Sequence, residues 1–221
     1  MNPDARTEIL ALIAHLRSYL FYQKGLGLRA IPRSSRASQS LKALREEVGE
    51  CRRCRLHKTR RHIVFGEGDQ KARLVFVGEA PGYEEDLQGR PFVGKAGQLL
   101  SRIIAAIGMT RDEVYITNVV KCHPPQNRTP RPDEIASCYP FLKDQLKIIQ
   151  PRVICALGNA AAQTLLGTSA GITSLRGTFH SWEGIRVMPT FHPAYLLRNP
   201  DRKREAWHDM RLVQKALTGE A

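Results

Sequence analysis

GEAPGYEEDLQGRPFVGKAG, residues 78–97, is the stretch whose reading decides the fold. It follows a short apolar run at 74–77 and gathers glycines, two prolines, the acids Glu79, Glu84, Glu85 and Asp86, and the aromatic Phe92. An apolar run that breaks into a Gly/Pro turn reads as a strand delivering backbone N–H groups and acids to the carboxyl end of a sheet, where open α/β sheets bind ligands. Three more β-like runs, at 114–120, 152–157 and 185–190, join the one at 73–77, with helical patterns between them at 97–107, 133–149 and 160–166. Strands alternating with helices predict a mostly parallel sheet covered on both faces. GEAPG follows the first strand, KCHPP the second, GNAA the third and FHPAYLLR the fourth. In that architecture these segments gather along one sheet edge, so the pattern predicts an active site there.

The 221 residues suffice for one substantial core plus a short additional segment. That segment is 1–40: apolar residues between 7 and 22 approximate a helical stripe, and GLGLRAIPRSSRASQS at 25–40 reads as a basic linker. The principal domain is then 41–221, beginning with a helix near 40–48. Lys plus Arg number 34 against 21 Asp plus Glu, a net charge of +13. Such a balance favours a polyanionic partner, most simply nucleic acid, because binding releases counterions from the phosphates. No apolar run approaches the ~20 residues of a membrane span. The run at 9–21 is interrupted by His15 and Arg17 and is followed by no small-residue cleavage site. The expectation is a cytoplasmic protein with no membrane partner.

Cysteines in a reducing compartment point to thiolate or metal chemistry rather than disulfides. Cys51 and Cys54 form a C-x2-C, and Cys122 and Cys138 lie far along the chain in KCHPP and ASCYP. A local pair plus two distant thiols fits a four-thiolate site tying the segment before the first strand to the region after the second. Spacing leaves zinc and an iron–sulfur cluster both open. Cys155, inside VICAL, reads as a small buried hydrophobe.

GEAPGYEED, GRPFVGKAGQLL, ITNVVKCHPPQNR and FHPAYLLR, in this order and with these cysteines, resemble the family 4 uracil-DNA glycosylases, the iron–sulfur branch of that superfamily. The resemblance extends over about 41–217. It implies a three-layer α/β/α fold around a central four-stranded parallel sheet, and a [4Fe-4S] cluster on Cys51, Cys54, Cys122 and Cys138. It also implies a monomer that hydrolyses the N-glycosidic bond of deoxyuridine in single- or double-stranded DNA, releasing uracil for base excision repair.

Glycosidic cleavage passes through an oxocarbenium-like sugar while uracil departs as an anion, so the site must stabilise both charges and position water. By the family pattern Glu79 orients water and balances the sugar's charge, while Glu85 stands near the uracil C5 edge. Phe92 offers a stacking face, Asn118 reads uracil N3–H and O4, and His192 donates to uracil O2 as charge builds there. The resemblance also puts Ala80 among the uracil-binding residues. In the fourth loop Leu196 is the expected minor-groove wedge, with Leu197 competing for the role. Arg198, with Arg202, Lys203 and Arg204, is expected at phosphates, or else on a solvated helix face. His123, immediately after Cys122, is expected to belong to the cluster surroundings rather than to act as a nucleophile.

The chain departs from the better-known family 1 enzymes at Gly82, where those carry a tyrosine that blocks the thymine methyl group. Thymine exclusion must therefore rest on another residue. A related branch has a basic insertion with a sugar-trapping histidine after the second strand; HPPQNRTP shows none, so ordinary hydrolysis is expected. Two rivals remain, a DNA-binding module without catalysis and a glycosylase with a broader base range.

Overall fold

The computed structural model describes residues 40–219. Apart from Ser40, the N-terminal helix and basic linker expected over 1–40 lie outside the described residues. Helix α1 (Leu41–Val48) opens the described part, with the Ser40 hydroxyl accepting the Ala43 N–H at 3.1 Å. That side-chain oxygen satisfies one of the free donors of the first turn. Leu41, Leu44 and Val48 recur on one face and are buried.

The sheet contains β1 (Glu67–Gly68), β2 (Leu74–Gly78), β3 (Tyr115–Asn118), β4 (Val153–Leu157), β5 (His180–Trp182) and β6 (Ile185–Thr190), in the order β1-β3-β2-β4-β6-β5. The inner four strands are mutually parallel, as expected. The outer two are additions to the expected four: β1 and β5 pair antiparallel with β3 and β6. At two and three residues they are too short to carry a period-2 pattern of their own, and pairing with an existing edge forms them.

Alternation along β2 separates the two layers of core. Val75 and Val77 face one cluster with Leu44, Leu142, Leu146 and Ala162, while Leu74 and Phe76 face the other with Leu100, Ile104, Met210 and Val213. The first layer is α1, α4 (Pro132–Ile149) and α5 (Asn159–Leu166), and the second is α3 (Lys95–Ala106) and α8 (Lys203–Thr218). Near-continuous burial of β2 and β4 is what a strand covered on both faces requires. Cys155 on β4 is fully buried beside Met210, a hydrophobe as expected. Three short helices, α2 (Tyr83–Gln88), α6 (Ile172–Leu175) and α7 (Pro193–Arg198), lie in the connections. The acids Glu84, Glu85 and Asp86 therefore sit in the first turn of a helix rather than in an open loop.

Candidate active site

The carboxyl ends of β2 and β3 stand side by side, with Gly78 in register with Asn118. Beyond them the Val119 and Val120 N–H groups donate to the Gly78 and Glu79 carbonyls at 2.9 and 3.0 Å, so the first loop leaves locked to the second. A cavity of about 520 Å³ opens at this edge. Glu79, Gly82, Glu85 and Phe92 line it from the first loop, Asn118 and residues 127–129 from the second, and His192, Tyr195 and Arg198 from the fourth. The third loop stays behind the wall, where the Gly158 N–H donates to the Thr190 carbonyl at 2.8 Å and braces the strand leading to His192.

Asn118 is 1% exposed, and its Oδ1 is a buried acceptor without a partner among the described residues. An orphaned acceptor costs about 1–3 kcal/mol unless a ligand supplies the missing donor. Gly78 makes the room for it: a Cβ there would stand 2.3 Å from Asn118 Oδ1 and 2.6 Å from Phe92 Cζ.

His192 caps α7, its Nδ1 accepting the Ala194 N–H at 3.1 Å. That bond assigns the proton of a neutral ring to Nε2, leaving Nε2–H as the free donor. Burial lowers the His192 pKa to about 4, with Arg198 adding to the effect, so the ring stays neutral near pH 7. Its ring lies 5.6 Å from that of Phe92, tilted by 33°.

Phe92 is held at φ 52°, an unusual conformation for a side chain of this size. Arg111 fixes it by donating to the Pro91 and Phe92 carbonyls at 2.9 and 3.1 Å. Glu85 holds the same turn from the other side, accepting the Val93 and Gly94 N–H groups at 2.8 and 2.9 Å and the Gly82 N–H at 3.1 Å. A Cβ on Gly82 would lie 2.7 Å from Glu85 Oε2, so the glycine and the carboxylate are matched. Burial raises the Glu79 carboxyl above its ordinary range, opposed by a hydrogen bond from Thr129. Ala80, beside it, also lines the cavity.

The two leucines of the fourth loop separate cleanly. Leu196 is 1% exposed, packed with Leu99, Phe191 and Ala206, whereas Leu197 is 40% exposed. Leu196 therefore anchors α7 to the core, and Leu197 is the leucine of this pair that is open at the surface. Arg198 is exposed at the cavity mouth, while Arg202 is engaged with Glu205 at 2.6 Å. His123 Nδ1 lies 3.0 Å from the Pro81 carbonyl, so this neighbour of Cys122 also braces the second loop against the first.

Residues 65–211 match the model of the uracil DNA glycosylase superfamily. A type-4 uracil-DNA glycosylase of Thermotoga maritima is 53% identical over 156 residues, 70% of this chain and 81% of the relative. A type-4 enzyme of Saccharolobus solfataricus is 43% identical over 81% of this chain and 87% of its own length. A type-5 enzyme of Pyrobaculum aerophilum is more distant, 34% identical over 61% of this chain and 67% of its own. The chain belongs to the type-4 uracil-DNA glycosylases.

In this type-4 chain the four expected cysteines also come together. Cys51, Cys54, Cys122 and Cys138 line one small cavity beneath the second loop, with Arg53, Arg60 and Lys121. Three N–H groups already point at sulfur: Arg53 to Cys51 at 3.4 Å, Arg60 to Cys122 at 3.4 Å and the Lys121 backbone to Cys138 at 3.3 Å. Burial pushes the Cys122 thiol up to about 12 and raises Cys54 and Cys138 as well. Among the described residues no three His, Cys, Asp or Glu side chains are grouped to hold a single metal ion.

Sequence reasoning missed the braces of this type-4 site. Asp86 is buried and accepts the Arg61 and His62 N–H groups, at 2.9 and 3.3 Å to Oδ1, tying α2 to the chain beside the thiols. Arg128, which lines the cavity, is gripped by fully buried Glu134 at 2.6 and 2.8 Å. Glu134 also accepts the Arg131 N–H at 2.7 Å, and a Glu three residues after the chain enters α4 is the pattern that reveals this brace.

Proposed function

We propose that this chain hydrolyses the N-glycosidic bond of deoxyuridine in DNA, releasing uracil and leaving an abasic site for base excision repair. The observation that carries this reading is the partnerless Asn118 Oδ1 facing the same cavity as a neutral His192. A base flipped into that cavity supplies the missing donor through uracil N3–H, and cytosine has no such hydrogen. The His192 Nε2–H donates to O2 as negative charge develops on the departing ring. Phe92 stacks on the base. Glu79, partly buried and bonded to Thr129, orients the attacking water and balances the oxocarbenium charge. Glu85 and Ala80 border the C5 edge, so thymine exclusion rests on Glu85, whose bond to the Gly82 N–H occupies the space a side chain at 82 would need.

DNA approaches across the fourth loop. Leu197, exposed, fills the space vacated by the flipped base, and Arg198 meets a phosphate. The chain acts as a monomer in the cytoplasm.

Cys51, Cys54, Cys122 and Cys138 would hold a [4Fe-4S] cluster. One observation fits that group better than zinc. Four thiols around one cavity with no three grouped for a single ion suit a centre that offers each sulfur its own iron. When bound, the cluster supplies thiolate–iron cross-links between the segment before β1 and the base-reading second loop.

Single-turnover excision from oligonucleotides carrying uracil, a thymine mismatch or hypoxanthine tests the reading. The expected result is rapid release of uracil alone, slowed about 10²–10⁴-fold in Glu79→Gln. Equal release of thymine or hypoxanthine moves the assignment to a broader glycosylase, and full activity of Glu79→Gln removes the role of Glu79.

A further inference from the structure

Asn118 is the last residue of β3, and the geometry that aims its side chain depends on how its backbone is held after pairing ends. On the β2 side the chain remains locked by the Val119 and Val120 N–H bonds. On the other side the β1–β3 register, Glu67 opposite Ile116 and Gly68 opposite Tyr115, would bring residue 65 opposite Asn118. That pairing has opened. The Phe65 carbonyl instead accepts Gln145 Nε2 at 2.8 Å and Thr117 Oγ1 at 3.1 Å.

Into this gap runs the side chain of Lys121, 1% exposed. Its Nζ donates to the Asn118 carbonyl at 2.7 Å, to Thr117 Oγ1 at 2.7 Å and to Gln145 Oε1 at 2.6 Å. Three acceptors use all three hydrogens of an ammonium group. Gln145 in turn is fixed on α4 and bonded to Tyr115 Oη at 3.2 Å. Lys121 thus replaces the missing strand partner of Asn118 while lying out of reach of the cavity, which it does not line.

We propose that Lys121 is a positioning residue for base recognition: its buried Nζ holds the Asn118 carbonyl and thereby sets the direction in which Asn118 Oδ1 meets the base. The inference rests on the base-reading role of Asn118. A lysine that serves only to fill the space between β3 and α4 would affect folding alone. A lysine that works through Asn118 affects excision only while Asn118 is present, and a double-mutant cycle separates the two.

The experiment uses the full chain and compares wild type, Lys121→Met, Asn118→Ala and the double variant. It reads single-turnover excision at saturating enzyme, affinity for uracil-free duplex, thermal unfolding and absorbance near 400 nm. Lys121→Met is expected to slow excision about 30-fold, to leave duplex affinity unchanged, and to cost less than about twofold further in the Asn118→Ala background. An equal factor in both backgrounds overturns the inference, as does undiminished excision by Lys121→Met. Full activity of Asn118→Ala alone overturns the base-reading role itself and the inference with it, a distinct result. Should Lys121→Met unfold or lose its absorbance, Thr117→Val decides: it removes one of the three acceptors with little change of shape. It is expected to slow excision about threefold with Asn118 present and not at all in the Asn118→Ala background. The same loss in both backgrounds overturns the inference.

Discussion

The base cavity and the thiol cavity are joined by one short piece of chain, residues 118–122, and are finished to opposite degrees. The base cavity holds a buried carbonyl oxygen with no partner among the described residues, a histidine kept neutral by burial, and a phenylalanine at positive φ. Each is unfavourable for folding and is retained because braces around it, such as Glu85 and Arg111, over-determine the geometry. The thiol cavity already has N–H groups directed at Cys51, Cys122 and Cys138 before any metal is considered. On the proposed reading, one region keeps polar capacity for a base and the other is arranged to hold the cluster. Chemistry and stability should therefore respond separately to substitution.

Asn118→Ala gives the largest separation. Excision is expected to fall about 10³-fold in a single-turnover assay, with absorbance near 400 nm and Tm close to wild type. Cys122→Ser should show the converse, losing the absorbance and about 10 °C in Tm, its excision failing only as the second loop loosens. If Cys122→Ser kept its Tm while Asn118→Ala lost it, the division between the two regions would be drawn wrongly.

His192→Ala is expected to cost about 10²-fold in excision. Its pH behaviour carries a sign that can be checked. Because the folded ring has a pKa lowered to about 4 against an ordinary 6.5, the unfolded chain takes up a proton first as pH falls. This residue's contribution to stability is therefore fully present above pH 6.5 and declines as pH drops toward 4. Tm measured across that window should fall less steeply for His192→Asn than for wild type. The raised Glu79 carboxyl shows in the rate instead: activity should fall as pH drops and this carboxylate protonates, earlier than for an ordinary carboxylate, and Glu79→Gln should lack that acid limb.

Gly78→Ala should cost about tenfold in excision and lower Tm as well, because the new Cβ would stand 2.3 Å from Asn118 Oδ1 and 2.6 Å from Phe92 Cζ, both buried. The smallest pair of effects lies in the fourth loop. Leu197→Ala should slow excision a few-fold on duplex and less on single strands, where there is no stack to fill. Leu196→Ala should lower stability by about 2–5 kcal/mol in denaturant unfolding, since it empties a packed site.

The adjacency of Leu196 and Leu197 shows where reading the chain stops. Both leucines follow FHPAY, and nothing in their order distinguishes them; the packing of α7 against Leu99 and Ala206 does. Glu85 and Asp86 looked like members of an acidic loop, and only the folded turn reveals that backbone N–H groups converge on both. Lys121 is another such case, because a cation between Val120 and Cys122 gives no local hint that α4 supplies its acceptor.

By itself the sequence determined the alternating strands and helices, the four loops bound for one edge, and the residue types gathered there. It could do so because backbone periodicity and the demands of glycosidic chemistry are written locally, in spacing and in side-chain type. Tertiary structure alone decided which of two neighbouring leucines is exposed, which acids bind backbone, and that Asn118 Oδ1 has no partner among the described residues. Those are questions of what lies opposite a side chain, and local sequence pattern does not say which groups the fold brings there.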